Sequence, residues 1–360
     1  MKEALVSAGP TVTIVESPIP KYNDDQVLIK VAIAGSNPKD WKRADASNVP
    51  FNQGEDVAGT IFAVGDNITE FKVGDRVAGY HQFGKSGGTY AQYAVCYGFT
   101  TFHIPKKISF EEAATIPMAA LVAATGLFSR LRLPPLWDAA TKPCPLIIYG
   151  ASSAVGSFAV KLAKASNIHP IIAVAGKGAP YVESLIDRSK GDTIIDYRQS
   201  DEAIVGHIRT ALSNTGQSKL EYAFDVTSDH GSFQNIIKVL DPAGHINLIN
   251  PNGDFSAIPE SFHRTITVVI SVHRDVSQDP WFAEASKQGV TTGGKEFGFI
   301  YSKLFGRGLS EGWFSGHPFE VVPGGLDGIE KGLKDLKSGK ASAVKYIYRI
   351  EDTPTISILD

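Results

Sequence analysis

The stretch LIIYGASSAVGSFAVKLAK, Leu146–Lys164, decides the fold. Its apolar start is typical of a buried strand, Gly150 turns the chain, and a helix is predicted to begin near Ala154. The unpaired N–H groups of a helix N-terminus point back at such a turn, where an anion can bind. Gly150 and Gly156 occupy the outer positions of a G-x-x-G-x-x-G pattern, and Ser153 replaces its middle glycine. The pattern predicts a cradle for a diphosphate, with a tight turn that binds no ligand as the alternative.

The same turn supplies most of the predicted cofactor contacts, and its serines add hydroxyl donors. These residues are Gly150, Ser152, Ser153, Ala154, Val155 and Gly156. After the next strand the chain reads AVAGKGAP, without the acid that binds the ribose 2′-hydroxyl of NAD. Gly176 and Lys177 stand there instead, and a lysine can pair with a 2′-phosphate. The sequence therefore favours NADPH, and a solvated loop lysine is the alternative for Lys177.

The rest of the chain divides into two patterns. Short alternating strands separated by glycine and Asp-Asn or Gly-Asp turns fill residues 1–118, which predicts a β-rich domain. Continuous apolar strands then alternate with amphipathic helices, which predicts a doubly wound parallel sheet over residues 119–317. Residues 318–360 carry a helix and an alternating strand, and we expect them to return to the first domain. At 360 residues the chain exceeds the usual size of one core, which also favours two domains.

Two segments test this assignment. FEEAATIPMAALVAATGLFSRL, Phe110–Leu131, is helical by composition, and Ser109 is its predicted N-cap. Residues 278–317 are rich in glycine and aromatic side chains and give no clear assignment.

The composition excludes several classes of function. The formal net charge is -3 and charged residues make up 20%, so we expect neither nucleic acid nor a membrane surface as a partner. Cys96 and Cys144 cannot supply a four-cysteine zinc lobe or a disulfide framework. The chain shows neither a signal peptide nor a continuous run of about 20 apolar residues. These features predict a cytoplasmic protein that acts on a small molecule.

Three motifs together carry a resemblance to a known family. They are GEDVAGTIFAVGDNITEFKVGDRV at Gly54–Val77, GASSAVG at Gly150–Gly156 and IIDY at Ile194–Tyr197. Over nearly its whole length the chain resembles the medium-chain dehydrogenase/reductase superfamily, which implies an α/β protein with a GroES-like β-rich domain and a Rossmann domain. NPKDWK, Asn37–Lys42, is similar to the zinc-free quinone-oxidoreductase and enoyl-reductase branch, and most similar to fungal trans-acting enoyl reductases and toxin-cluster reductases.

The resemblance also bears on metal binding. Zinc alcohol dehydrogenases read Gly-His-Glu where this chain has Gly54, Glu55 and Asp56, and no cysteine stands in GSNPKD or in YHQFGKSGGTYAQY. No three-ligand catalytic zinc site remains, so we predict no metal. Glu55 and Asp56 are then interpreted as residues at the start of a strand, with a role in the fold only. The alternative is that Asp56 makes a supporting hydrogen bond near the active site. Without a Lewis acid, reduction of an activated C=C bond is favoured over alcohol oxidation.

The family pattern assigns further site residues. Cofactor and substrate are expected to meet at Lys39, Asp40, Trp41 and Lys42. Lys42 matches a lysine that contacts NADPH, where the quinone branch has a tyrosine, and Thr125 matches a hydroxyl on the nicotinamide side; these two are the predicted catalytic residues. The remaining implied cofactor contacts are Tyr197, Leu248, Ile249, Val344 and Lys345. The alternatives without a functional role are an exposed turn lysine for Lys42, a helix-interior threonine for Thr125 and a surface lysine for Lys345. Four aromatic residues either line a substrate pocket or only pack: Phe299, Tyr301, Trp313 and Phe314.

The predicted activity is NADPH-dependent reduction of an α,β-unsaturated carbonyl compound, with hydride passing to Cβ. An NADPH quinone reductase and a catalytically silent NADPH-binding protein are the alternatives. The substrate is either free or presented on a carrier protein. A monomer is favoured over a homodimer.

Overall fold

The computed structural model describes residues 1–47, 49–276, 280 and 294–354. In chain order the strands are β1 (Lys2–Ser7), β2 (Thr11–Glu16), β3 (Gln26–Gly35), β4 (Asp56–Val64), β5 (Arg76–Tyr80), β6 (Tyr93–Tyr97), β7 (Thr101–His103), β8 (Leu146–Tyr149), β9 (Ile171–Ala175), β10 (Thr193–Asp196), β11 (Tyr222–Asp225), β12 (His245–Leu248), β13 (His263–Ile266), β14 (Phe319–Val321) and β15 (Lys345–Arg349). The α-helices among the described residues are α1 (Pro38–Ala46), α2 (Phe110–Ala113), α3 (Pro117–Ala124), α4 (Ala154–Ala165), α5 (Ala179–Glu183), α6 (Asp201–Asn214), α7 (Ser232–Ile237), α8 (Gly294–Glu311) and α9 (Ile329–Lys337).

The chain forms two compact units. The first contains residues 1–118 and the chain from Lys295 onwards, and the second runs from Ala119 to Gly294. This division differs from the predicted one, which assigned residues up to 317 to the parallel-sheet domain. Helix α8 belongs to the first unit because Phe305 packs edge-on against Phe102 of β7, with the ring centroids 6.2 Å apart.

The first unit is built on a seven-stranded sheet. Its order is β14-β15-β3-β4-β5-β7, and β6 also pairs with β3. Strand β15 runs antiparallel to β3, with Ile347 opposite Gly35, so the predicted return of the C-terminal strand is confirmed. Side chains from β3, β4 and β15 meet helix α9 in one core that includes Ile29, Val57 and Leu333. The small hairpin of β1 and β2 lies beside this core.

Within the described part of the second unit, six parallel strands form a sheet in the order β10-β9-β8-β11-β12-β13. Counted within the unit this is 3-2-1-4-5-6, the order of a Rossmann sheet, and the predicted α/β class is confirmed. Every residue of β8 and β9 is buried, as expected for strands covered on both faces. The order reverses between β8 and β11, and ligands of such sheets bind at the carboxyl ends of the strands on either side of that point.

The predicted helix over Phe110–Leu131 is interrupted. The side chain of Ser109 accepts a hydrogen bond from the N–H of Glu112, which confirms the predicted N-cap. The α-helical segments α2 and α3 are separated by residues 114–116, and α3 begins at Pro117, which has no N–H to donate. A π-helix follows at Thr125–Arg130. Among the described residues, Phe110–Arg130 is the one stretch long and apolar enough to cross a membrane; 78% of its most apolar window is buried inside the protein, as in the core helix of a soluble protein.

Candidate active site

The turn between β8 and α4 has the backbone geometry of a phosphate cradle. Gly150 has φ +87°, a conformation that L side chains rarely adopt, so the chain reverses sharply after the strand. A Cβ atom at Gly156 would lie 2.2 Å from the carbonyl oxygen of Gly150, so only glycine lets α4 start this close to the turn. The hydroxyl of Ser153 accepts the N–H of Gly156 at 3.1 Å and caps the helix. The serine in the middle of the pattern is therefore an N-cap.

The cradle keeps donors available for an anion. The N–H groups of Ala154 and Val155 make no hydrogen bond to the residues that the structure describes, because they belong to the first turn of α4. Both residues are half-buried, and so is Ser152 beside them. Two open N–H groups at the positive end of a 12-residue helix fit the diphosphate of a dinucleotide.

The register of the sheet brings the other predicted residues of the second unit to the same edge. Tyr149 pairs with Val174, and Ala175 pairs with Asp196, so the loops after β8, β9 and β10 are neighbours. The ring of Tyr197 lies over Gly176, where a Cβ would come within 2.6 Å of it. Lys177 is exposed and makes neither an ion pair nor a hydrogen bond within the described chain.

Arg198 is a further cation at this edge that the sequence analysis missed. Its guanidinium binds both carboxylate oxygens of Asp196, with Nη2 2.5 Å from Oδ2 and Nε 2.9 Å from Oδ1. Hydrogen bonds from Arg198 lower the pKa of Asp196 to about 2. Asp196, which ends β10 beside the end of β9, is therefore already paired, whereas Lys177 has no partner among the described residues.

Leu248 and Ile249 follow β12 at the same edge. The N–H of Ile249 donates to the hydroxyl of Ser228 at 2.9 Å, and the carbonyl of Leu248 accepts the N–H of Thr267 at 2.8 Å. Ser228 in turn is held by Asp225, whose pKa burial raises to about 6. The backbone carbonyl of Ile249 accepts no hydrogen bond from a described residue, so it is the group left to contact a ligand.

Thr125 opens the π-helix of the second unit. Its side chain is 2% exposed, and Oγ1 has no hydrogen-bond partner among the described residues. Such a group costs free energy unless a ligand or water satisfies it, and π-helical turns occur often at functional sites. Thr125 is therefore an unusual helix-interior threonine.

In the first unit, helix α1 carries a buried ionic cluster. The ammonium of Lys39 contacts Oε1 of Glu55 at 2.7 Å and Oδ1 of Asp40 at 2.9 Å, and it donates to the carbonyl of Gln53 at 2.6 Å. Asp40 also accepts the hydroxyl of Tyr90 at 2.6 Å. Burial raises the pKa of Asp40, although Lys39 opposes this. Asp40 is wholly buried, so it supports α1 and offers no oxygen to a ligand at the surface.

Lys345 lies in a second ionic cluster of the first unit. It is 4% exposed, which rules out a surface lysine, and its ammonium forms an ion pair with Asp56 and a hydrogen bond of 3.2 Å to Oδ1 of Asn37. The other amide atoms of Asn37 join the two clusters, because Nδ2 donates to Asp56 at 2.8 Å and the backbone N–H donates to Asp40 at 2.8 Å. A supporting hydrogen bond from Asp56 was one of the two readings of the sequence, whereas no sequence pattern pointed to Asn37.

The remaining predicted residues of this unit are more accessible. Lys42 is exposed, with its ammonium 5.6 Å from the ring of Trp41. Nε1 of Trp41 is buried without a hydrogen-bond partner in the described chain. Val344 is half-buried beside Lys345. Each unit thus gathers its own part of the predicted site.

Comparison with known proteins identifies the family. Residues 23–118 match the family described as the alcohol dehydrogenase GroES-like domain. The trans-enoyl reductase fsr4 of Gibberella fujikuroi is 48% identical over 331 residues, which cover 90% of this chain and 91% of that protein. The chain belongs to the enoyl reductase branch of the medium-chain dehydrogenase/reductase superfamily. The predicted family and GroES-like domain are confirmed.

Two further relatives extend the comparison. The enoyl reductase component lovC of the lovastatin nonaketide synthase of Aspergillus terreus is 28% identical over 348 residues, 93% of this chain and 92% of that protein. The crystal structure of CurK enoyl reductase has a TM-score of 0.71 at 19% identity and covers 96% of this chain and 98% of that one. This second likeness shows the fold alone. This enoyl reductase is thus an oxidoreductase of a family that uses a nicotinamide cofactor, and the predicted enzyme class is confirmed.

The structure also locates the predicted aromatic residues of this enoyl reductase. Tyr301 and Phe314 are buried in the first unit, where Phe314 stacks on Phe305 at 5.1 Å. Phe299 is 41% exposed and lies near the ammonium of Lys303. Within the described residues no group of three His, Cys, Asp or Glu side chains is placed to hold a metal. That the enzyme works without zinc stays a prediction.

Proposed function

We propose that this protein reduces the C=C bond of an α,β-unsaturated thioester with NADPH. The observation that carries the proposal is the 48% identity, over 90% of the chain, to a protein named a trans-enoyl reductase. The open cradle at α4 supports it from the second unit. When bound, the reduced nicotinamide supplies the hydride that passes to Cβ of the substrate.

The chain's own residues have three tasks in this proposal. The N–H groups of Ala154 and Val155 hold the diphosphate at the N-terminus of α4. The buried hydroxyl of Thr125, which lacks a partner among the described residues, donates a hydrogen bond on the nicotinamide side. Lys42 contributes a positive charge that binds the cofactor and stabilises the enolate oxygen formed as hydride arrives.

Lys177 is the reason to prefer NADPH over NADH. A 2′-phosphate brings about two negative charges, and an exposed lysine without a competing partner in the described chain can pair with it. The carboxylate of the neighbouring acid, Asp196, already accepts hydrogen bonds from Nε and Nη2 of Arg198, so it repels an anion less. Tyr197 covers Gly176 beside them and presents a half-exposed ring to the adenosine end.

The substrate is proposed to be an acyl group carried on a partner synthase. This follows the relative lovC, which is named as a component of a polyketide synthase. We further propose that the protein is a cytoplasmic monomer, and light scattering tests its oligomeric state.

Single-turnover oxidation of NADPH tests the activity. The panel contains a crotonyl thioester, a free enone and a quinone, and we expect the thioester to react fastest. Thr125→Val, which removes only the hydroxyl, should slow this turnover, whereas Thr210→Val on the exposed face of α6 should not. Fastest reaction with the quinone would favour the quinone-reductase alternative. Binding of NADPH without turnover on any substrate would refute the enzymatic proposal.

A further inference from the structure

The hydrogen-bond ladder between β11 and β12 changes at the carboxyl ends of these strands. At their other ends the N–H of His245 donates to the carbonyl of Glu221 at 2.7 Å. Ile249 and Asp225 are each four residues further along, so the even spacing of a parallel ladder predicts a direct bond between them. The N–H of Ile249 donates instead to the hydroxyl of Ser228, at 2.9 Å.

The hydroxyl of Ser228 takes the place of that ladder bond. It accepts the N–H of Ile249 and donates to the carbonyl of Asp225 at 2.8 Å, so one oxygen atom joins the two backbones. Two hydrogen bonds in series span more than one direct bond of about 2.9 Å. The hydroxyl therefore holds the ends of β11 and β12 apart, at the edge of the sheet where ligands bind.

Ser228 is itself firmly fixed. Its φ is +50°, a left-handed conformation that is uncommon for residues other than glycine, and the residue is 4% exposed. Its N–H donates to Oδ1 of Asp225 at 2.8 Å, and Oδ2 of the same carboxylate accepts the hydroxyl of Ser232 at 2.5 Å, at the start of α7. Such a strained backbone persists where several bonds determine it, and it is frequent at functional sites.

The other side of β12 stays paired with β13. The carbonyl of Leu248 accepts the N–H of Thr267 at 2.8 Å, which continues the ladder between these two strands. The buried amide of Asn247 adds two bonds, because Nδ2 donates to Thr265 at 3.0 Å and Oδ1 accepts the hydroxyl of Thr267 at 2.8 Å. Since β12 is fixed to β13, the separation at its carboxyl end falls between β12 and β11.

The loop after β11 also borders the phosphate cradle of the second unit. A Cβ atom at Gly150 would lie 2.5 Å from Oγ1 of Thr227. The strand order reverses between β8 and β11, so the two halves of a dinucleotide bind on opposite sides of this point. Lys177 and Tyr197, proposed for the adenosine half, follow β9 and β10. Ile249 follows β12 on the other side, and its carbonyl accepts no hydrogen bond from a described residue.

We propose that Ser228 is a positioning residue for the nicotinamide: its hydroxyl holds the backbone of Ile249 where the carbonyl accepts an N–H of the carboxamide. This rests on the proposed function, which takes NADPH as the cofactor. If the ladder closed directly on Asp225, Ile249 would move towards β11 and its carbonyl would move with it. Ser228 exchanges no proton and no electron in this role. It acts only through the place of one backbone acceptor.

Binding of two dinucleotides to wild-type protein and to Ser228→Gly tests this role. Glycine removes the hydroxyl and adopts a left-handed backbone without strain. The probes are NADP⁺ and its 3-acetylpyridine analogue, in which a methyl ketone replaces the carboxamide and provides no N–H donor. In titration calorimetry wild-type protein should bind NADP⁺ about threefold to tenfold more tightly than the analogue, as expected for one hydrogen bond. Ser228→Gly should lose most of this preference, because only NADP⁺ loses a contact.

The matched control is His230→Gly in the same loop. His230 also has a left-handed backbone, with φ +52°, but its side chain is 87% exposed. This variant should keep the wild-type preference for NADP⁺ over the analogue. A third probe, 2′,5′-ADP, carries the adenosine phosphates without a nicotinamide. It should bind equally to wild-type protein and both variants, which also shows that the second unit is folded in each.

Two results would overturn the inference alone. One is a wild-type protein that binds NADP⁺ and the analogue equally well. The other is an unchanged preference in Ser228→Gly, including the case in which all three probes bind more weakly, because a general structural role would act on every ligand. If wild-type protein binds neither NADP⁺ nor 2′,5′-ADP, the proposed use of NADPH is wrong and this inference is wrong with it.

Discussion

Replacing Asp56 with Asn should destabilise the first unit strongly, because it leaves a buried lysine without its counter-ion. Lys345 is 4% exposed and Asp56 is wholly buried. Removing one partner of a buried ion pair typically costs about 3–5 kcal/mol. Asn keeps an oxygen that can accept the N–H of Met118, and the ammonium retains Asn37 as an acceptor. We therefore expect a loss of about 3–4 kcal/mol in the free energy of unfolding.

Calorimetry and hydrogen exchange measure this effect. For a unit of this size the loss corresponds to a decrease in Tm of roughly 6–16 °C. Faster exchange should appear in β4 and β15, which carry the two partners. The matched control is Asp45→Asn, which breaks an ion pair with Lys337 at 2.6 Å between side chains that are 31% and 38% exposed. This control should change Tm very little, because solvent screens exposed ion pairs.

A double variant separates the charge from the packing. Adding Lys345→Met to Asp56→Asn removes the unpaired buried cation and should recover much of the lost stability. Equal Tm values for Asp56→Asn and Asp45→Asn would refute the reasoning, since burial would then not decide the cost. So would a double variant that is less stable than the Asp56→Asn single variant.

Three further predictions concern the second unit. Lys177→Ala should weaken NADPH binding by about tenfold to a hundredfold and leave NADH binding nearly unchanged in titration calorimetry; an equal loss for both would mean that the 2′-phosphate is held elsewhere. Gly156→Ala should lower both Tm and dinucleotide affinity, because its Cβ would meet the Gly150 carbonyl at 2.2 Å, whereas Gly206→Ala, with open space in α6, should not destabilise the protein. Burial raises the pKa of Asp225 to about 6, so the folded state favours its protonated form and the contribution of this group to stability is lost as pH rises from about 4 through 6. Asp225→Asn should reduce that loss, which amounts to about 1.5 kcal/mol between pH 5 and pH 8, in urea unfolding compared at those two pH values; identical pH dependence in both proteins would contradict the assignment.

Local chemistry explains what the sequence predicted well. The cradle depends on Gly150, Ser153 and Gly156, which are within seven residues of one another, and on the strand and helix that flank them. A glycine at positive φ, an N-cap and a close helix–turn approach are properties of residue type and spacing. The alternation of apolar strands and amphipathic helices similarly predicted the parallel sheet, because burial on both faces requires that pattern.

The predicted helix over Phe110–Leu131 shows where local reasoning fails. Its composition is helical throughout, but Pro117 divides it, and Thr125 begins a π-helix that composition does not signal. Helix α8 likewise has a sequence rich in glycine and aromatic residues, from which neither its secondary structure nor its domain could be assigned. Its packing on β7 decides its place in the first unit. Tertiary contacts override weak local preferences in both cases.

The sequence by itself therefore determined the family, the two-domain α/β fold and the dinucleotide cradle, since these depend on short motifs and periodicity. Only the tertiary structure decided the chemical environment of the charged residues. Lys345 and Asp56 are 289 positions apart, and Lys39 meets Glu55 across 16 positions between α1 and the start of β4. Whether such a residue is exposed or paired depends on which strands pair and on which side chains they bury. No local sequence pattern contains that information.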